Sequence, residues 1–284
     1  METLASSSDG MRGKVVMVTG ANAGMGKEIS LALAGMGATV VMVSRDRARG
    51  EAARTEVESK SGNPHLELML ADLSSQKSIR HLVAEFEAAH DRLHVLVNNA
   101  GITLAKRTET EDGIEAVFAT NHLAAFLLTN LLLPVLKASA PSRVVTVSSA
   151  AHSMGKIDFD DLQSVRGYGE IRAYNASKLA NVLFTYELAR RLAGTGVTAN
   201  VVEPGFVKTN LRVPFPFSLF SLMRGSASNG ARPTVFLASS PEVEGVSGTF
   251  FSQKSVATKS SRVSYDDEAA RRLWTVSSEL TSAG

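Results

Sequence analysis

The chain has no cysteine, which excludes disulfides, thiolate metal sites and thiol nucleophiles. It also lacks an excess of charge of one sign: 30 basic against 28 acidic residues leave a formal net charge of +2. The basic residues are scattered apart from "SRDRARGEAAR" at Ser44–Arg54, so a nucleic-acid surface is not expected. The opening stretch, "METLASSSDGMRGK", lacks the continuous apolar core of a secretory signal. Long apolar runs are missing too. The most apolar, "LAAFLLTNLLLPVL" at Leu123–Leu136, is too short to span a bilayer and carries Asn130 and Pro134, so it is expected as a buried core helix. No Pro/Ser-rich linker divides the chain and no repeat of fixed period is visible. A cytoplasmic protein is expected, with a flexible tail over residues 1–12 and one domain over 13–284.

What is present is an alternation. The segments "KVVMVT" (Lys14–Thr19), "TVVMV" (Thr39–Val43), "LELML" (Leu66–Leu70), "LHVLV" (Leu93–Val97), "RVVTVS" (Arg143–Ser148), "VTANVV" (Val197–Val202) and "GTFFS" (Gly248–Ser252) read as strands separated by helical patterns. Near-continuous apolar strands between helices predict a parallel sheet covered on both faces. The fold class is therefore α/β, a single doubly wound parallel sheet of about seven strands, with ligands beyond the carboxyl ends of the strands.

The strand ends carry the chemistry. After the first strand, "VTGANAGMGKEIS" places Gly20, Gly24 and Gly26 in the spacing G-x-x-x-G-x-G before a helix. Glycine permits the tight turn and brings backbone N–H groups and a helix N-terminus close to a pyrophosphate. At the end of the second strand stand Ser44 and Arg45, where an NAD-preferring fold puts an acid for the ribose 2′-hydroxyl. Arginine grips a 2′-phosphate in a bidentate fork, so NADP(H) is favoured, although Arg45 also reads as one more surface cation beside Asp46. Asp72 after the third strand suits an adenine amino group or, equally, a helix cap near Ser74. "NNAG" at Asn98–Gly101 suits backbone bracing beside a ligand or an Asx turn, and Pro204–Gly205 ends the sixth strand.

The fifth strand ends in Ser148 and Ser149, shortly before the helical stretch "RAYNASKLANVLFTYELARRL". There Tyr174 and Lys178 lie four residues apart, on one helix face. A tyrosine of ordinary pKa about 10 shuttles protons poorly near neutrality. A nearby ammonium and the positive charge of an oxidised nicotinamide favour the phenolate, while a serine hydroxyl holds the substrate oxygen.

In order and spacing, "TGANAGMG", "NNAG", "VSS", "YNASK" and "EPG" resemble the short-chain dehydrogenase/reductase superfamily, from about Lys14 to Phe251. "SRD", "FATNHLAAFLLTNLLLP", "SKLANVLFTYELARRL" and the long insert "HSMGKIDFDDLQSVRGYGEIRA" resemble its retinol dehydrogenase-like branch. The resemblance implies a Rossmann-type sheet and an NADP(H)-dependent carbonyl reductase/alcohol dehydrogenase with Asn121, Ser149, Tyr174 and Lys178 as catalytic residues. Ser148 is then the control neighbour. It implies a cofactor-binding set of Gly20, Asn22, Gly24, Met25, Gly26, Ser44, Arg45, Asp72, Leu73, Asn98, Ala100, Gly101, Tyr174, Lys178, Pro204, Gly205, Val207 and Thr209. It departs from the NADP-preferring pattern at Ala23, where many members carry a basic residue.

Between Leu211 and Gly225, "LRVPFPFSLFSLMRG" places an apolar cluster in the expected substrate lid, about residues 206–230. Leu211, Phe215, Phe217, Phe220 and Met223 suit a lipophilic carbonyl or alcohol, a partner subunit or a membrane surface. The helices around Asn121 and Tyr174 resemble the family's subunit interface, implying a homodimer or homotetramer. No metal site and no nucleic-acid partner are expected. Two other functions stay open: a non-catalytic NADP(H)-binding sensor or scaffold, and a reductase of an activated C=C bond on the same fold.

Overall fold

The computed structural model describes residues 10–205 and 225–282. Eight strands form one sheet in the order β3-β2-β1-β4-β5-β6-β7-β8. They are β1 (Val15–Thr19), β2 (Thr39–Ser44), β3 (Leu66–Leu70), β4 (Val95–Asn98), β5 (Ser142–Val147), β6 (Val197–Val202), β7 (Phe250–Phe251) and β8 (Ala257–Thr258). All neighbours pair in parallel except the last two. The order reverses between β1 and β4, and at that switch point a crevice opens beyond the strand ends.

Side-chain alternation sorts each strand onto two cores. Val16, Val18, Val40 and Met42 pack with α1 (Gly24–Gly35), α2 (Arg47–Ser61) and α7 (Ala227–Ser239). Met17, Val41 and Val43 pack on the opposite face with α3 (Gln76–Ala89), α5 (Ala124–Ala138) and α6 (Glu170–Arg191). The helix starts follow from capping: Asp46 accepts from the Arg49 N–H at the head of α2, and Ser75 accepts from the Ser78 N–H at the head of α3.

A short α4 (Ala116–Phe118) leads through a π-turn at Ala119–Leu123 into α5. The helical stretch Ala116–Ala138 is long and apolar enough by composition to cross a membrane, yet 78% of that window is buried inside the fold. It is the core helix the sequence predicts. The last helix, α8 (Asp267–Thr281), lies on α5 and α6. Trp274 meets Phe126 edge-on at 4.9 Å between ring centroids and stacks on Phe184 at 5.9 Å. The apolar helix faces that the sequence assigned to subunit contact are thus covered in part by the chain's own α8.

Three expectations shift. Met11 is buried and its N–H donates to the Met36 carbonyl at 2.9 Å, so the packed domain reaches into the expected tail of residues 1–12. Strand β4 runs from Val95; at its head His94 gives its backbone N–H to the Val15 carbonyl at 2.9 Å, and its ring Nδ1 accepts the Val15 N–H at 3.0 Å. The eighth strand adds antiparallel to Phe250–Phe251, and its exposed Ala257–Thr258 carries no apolar pattern to betray it.

His122, in the π-turn, is fully buried among Phe118, Phe126 and Phe184, with Nε2 2.9 Å from the Ser277 hydroxyl on α8. Burial holds its pKa down to about 4. Between pH 6.5 and pH 4 the unfolded chain binds a proton that the folded one refuses, so stability falls as pH falls. Urea unfolding across that window is expected to lose roughly 3 kcal/mol from this group, and less in His122→Gln.

Candidate active site

The Gly-rich turn is built to approach something closely. Gly20 and Gly24 adopt φ of +65° and +54°, and a Cβ at Gly26 would strike the Gly20 carbonyl and lie 2.7 Å from Asn99 Nδ2. Asn22 and Met25 are half-buried in the same turn. No side chain caps α1 and no acidic residue stands in its first turn, so its first N–H groups are left for an anion. Gly26→Ala is expected to weaken cofactor binding and to lower stability by about 1–3 kcal/mol through overpacking, as calorimetry and dinucleotide titration will read.

Across the switch point, Thr19 organises the "NNAG" turn. Its hydroxyl oxygen accepts the N–H groups of Asn99 (2.9 Å) and Ala100 (3.1 Å), and Asn99 Nδ2 donates to the Thr19 carbonyl at 2.8 Å. Asn98 Nδ2 donates to Thr129 Oγ1 at 2.9 Å. The buried oxygens Asn98 Oδ1, Asn99 Oδ1 and Thr120 Oγ1 have no hydrogen-bond partner among the described residues. Thr19, Leu73, Asn98, Ala100 and Thr120 line one crevice. A glycine cradle, an uncapped helix and unpaired polar atoms around a crevice fit a dinucleotide.

At the end of β2, Ser44 is buried and its hydroxyl donates to the Asp46 carbonyl at 3.0 Å. Asp46 spends its carboxylate on capping α2. Arg45 reaches instead across the β2–β3 register, and its Nη1 lies 3.9 Å from Asp72 Oδ2. The Asp72 carboxylate also accepts from the Ser74 N–H (2.9 Å) and hydroxyl (2.6 Å). The helix-entry role anticipated for Asp72 is therefore present, and its second oxygen faces the cation.

Beside Gly101, Asn121 sits in the π-turn, a distortion that re-aims side chains at functional sites. Its Oδ1 accepts the Ile102 N–H at 2.7 Å, and its Nδ2 donates to the Ile102 carbonyl (3.0 Å) and to Ser177 Oγ (3.0 Å). Ser177 in turn donates to the Tyr174 carbonyl at 2.7 Å. Asn121 Oδ1 and Lys178 Nζ flank Gly101 closely enough that a Cβ there would sit 3.4 Å and 3.5 Å from them. Lys178 is buried, donates to the Val147 carbonyl at 3.2 Å and lies 5.6 Å from the Tyr174 ring centroid. Burial lowers its pKa to about 8.

Tyr174 is raised above its ordinary value by burial, and a hydrogen bond with Ser149 pulls the other way. Ser149 is half-buried at the head of a 3₁₀ turn (Ala150–Met154), where its Oγ accepts the Ala151 N–H at 3.2 Å. Ser148 turns away, its hydroxyl donating to the Lys178 carbonyl at 2.8 Å. Ser149 is thus the serine that meets the tyrosine, and Ser148 fixes the helix behind it.

Gly205 adopts φ of +75°, and a Cβ there would collide with the Gln253 side chain, so Pro204–Gly205 is a crowded turn. Val207, Thr209, Leu211, Phe215, Phe217, Phe220 and Met223 lie outside the described residues, and with them the expected lid up to Arg224. Residues from Ala227 to the end of that range are already in α7. The long insert before α6 is pinned over the Ile102–Glu115 segment. Tyr168 donates to the Leu104 carbonyl at 2.7 Å, and Gln163 takes the Glu115 N–H and the Arg107 Nε–H. Sequence missed Thr19 and Ser177; the second lies inside "YNASK", where its position between Tyr174 and Lys178 was the available signal.

The family model of the short chain dehydrogenases matches residues 14–216. Retinol dehydrogenase 14 of Homo sapiens is 44% identical over 292 residues, covering 94% of this chain and 86% of its own. An uncharacterized protein from Mycobacterium Paratuberculosis is 36% identical in its solved structure, with a TM-score of 0.80 over 95% of this chain and 94% of its own. A Pseudomonas aeruginosa structure described as a RhlG/NADP active-site complex is 26% identical, with a TM-score of 0.68 over 86% of this chain and 96% of its own. Fold, turn geometry and relatives agree: the chain belongs to the short-chain dehydrogenase/reductase family, in its retinol dehydrogenase-like branch, and is an oxidoreductase using a nicotinamide cofactor.

Proposed function

We propose that the protein interconverts a hydrophobic aldehyde or ketone and its alcohol with NADP(H). The observation that carries this is the convergence of Ser149, Tyr174, Lys178 and Asn121 beside Gly101 at the carboxyl edge of β4 and β5. The bound nicotinamide supplies the hydride and, when oxidised, a positive charge. In reduction the Tyr174 phenol gives its proton to the carbonyl oxygen as the carbonyl carbon gains hydride; in oxidation the phenolate takes the proton back. Ser149 holds that oxygen and stays hydrogen-bonded to Tyr174. Lys178 would hold the ribose hydroxyls of the bound cofactor, and Asn121 fixes the Ile102 backbone through two hydrogen bonds.

The preference for NADP(H) rests on Arg45, whose side chain is 75% exposed and whose pairing with Asp72 at 3.9 Å is the loose kind that a phosphate displaces. A lipophilic substrate is supported by the printed names of the relatives and by the composition of Leu211–Met223. A homodimer or homotetramer belongs to the same reading and is supported by the resemblance of the helices around Asn121 and Tyr174 to the family's subunit interface.

The test is NADPH oxidation against long-chain aldehydes, retinaldehyde and ketones, with chromatography of products. The expected product is the alcohol. A saturated ketone from an enone instead identifies a C=C reductase, and tight NADPH binding without turnover on the panel identifies a sensor.

A further inference from the structure

We propose that His152 is a positioning residue that fixes the Ser149 peptide through its Nδ1–H and ties it to a strap, residues 259–266 between β8 and α8. The proposal rests on the assignment of Ser149 to the substrate oxygen. His152 is buried, at 4% exposure, three residues after Ser149 in the same 3₁₀ turn. Its Nδ1 lies 2.7 Å from the Ser149 carbonyl oxygen, which can only accept. Its Nε2 lies 3.0 Å from the Ser261 backbone nitrogen, which can only donate. Both ring nitrogens are therefore assigned by their partners: a neutral imidazole with its proton on Nδ1. The tilted ring of Phe250, 4.9 Å away, closes one side.

The far end of this bridge is anchored. Ser261 precedes a 3₁₀ turn (Arg262–Tyr265), and the adjacent Ser260 hydroxyl meets Tyr186 Oη at 2.7 Å, on the same helix that carries Tyr174 and Lys178. Tyr186 also stacks on Tyr265 at 5.5 Å. His152 thus joins the serine strand end to the catalytic helix through the strap, and the Ser149 hydroxyl is held where Tyr174 meets it.

Two conservative variants separate the two bonds. In His152→Asn the amide nitrogen falls where Nδ1 was, keeping the donor to Ser149 and losing the acceptor for Ser261. In His152→Gln the amide oxygen falls where Nε2 was, keeping the Ser261 bond and losing the one to Ser149. His152→Gln is expected to lower kcat about tenfold with the KM for NADPH unchanged, while His152→Asn stays within about threefold of the wild type. In a Ser149→Ala background His152→Gln is expected to add no further loss. Equal loss in both variants, following thermal midpoint, or full additivity with Ser149→Ala overturns the proposal. Nitrogen-15 NMR of the six labelled histidines needs no substrate: the signal missing in His152→Asn is expected to show Nδ1–H, and Nε2–H overturns the proposal. Failure of the underlying catalytic assignment looks different, as turnover surviving in Tyr174→Phe.

Discussion

Tyr174→Phe is expected to lower kcat by about a thousandfold while leaving NADPH affinity within a factor of about two, because it removes the proton donor and little else. Tyr174 is half-buried and the ring that remains keeps its packing on α6. The pH dependence follows from the direction of the shift. Burial raises the Tyr174 pKa, so the phenol is protonated throughout the neutral range and reduction stays flat there. Oxidation needs the phenolate, so its rate climbs as pH rises. Ser149→Ala removes the hydrogen bond that pulls the Tyr174 pKa down, and the alkaline limb for oxidation moves to higher pH. Stopped-flow rates in both directions from pH 6 to 10, on the wild type and both variants, read these outcomes. A Tyr174→Phe enzyme that turns over at the wild-type rate would remove the basis for this chemistry.

Arg45→Asp is expected to invert the cofactor preference. A charge-assisted hydrogen bond to phosphate is worth about 1.5–3 kcal/mol, so kcat/KM for NADPH falls roughly 10- to 100-fold, and further once an acid faces the phosphate. NADH gains, since the new carboxylate accepts from the ribose 2′-hydroxyl. The fold tolerates the change, because Arg45 is exposed and an exposed ion pair contributes about 0–1 kcal/mol. The ratio of kcat/KM for NADPH and NADH, measured on both proteins, decides the matter. An unchanged ratio places the 2′-phosphate elsewhere.

The parallel strands were legible because buried β-branched runs alternate with helices, and all seven expected strands reappear within two residues of their expected ends. The pairing of Tyr174 with Lys178 was legible because "YNASK" sets them one turn apart, which only a helix brings onto one face. Contacts that depend on burial or register were not. The Arg45–Asp72 pair needs the β2–β3 register to bring Ser44 opposite Leu70. The direction of the Tyr174 shift needs the depth of the pocket, which no spacing encodes. Strand β8 is two exposed residues paired through their backbone, and the His94 ring adds one acceptor beside β1; neither has an apolar signature.

The most direct test follows one hydrogen. Retinaldehyde or another lipophilic aldehyde is reduced with NADPH carrying deuterium at the transferring C4 position, and the product is read by mass spectrometry and NMR. An alcohol with one deuterium on the carbinol carbon, formed by the wild type and not by Tyr174→Phe, is the predicted result. Deuterium on a carbon of a former C=C bond, or deuterated alcohol formed equally well by Tyr174→Phe, contradicts it.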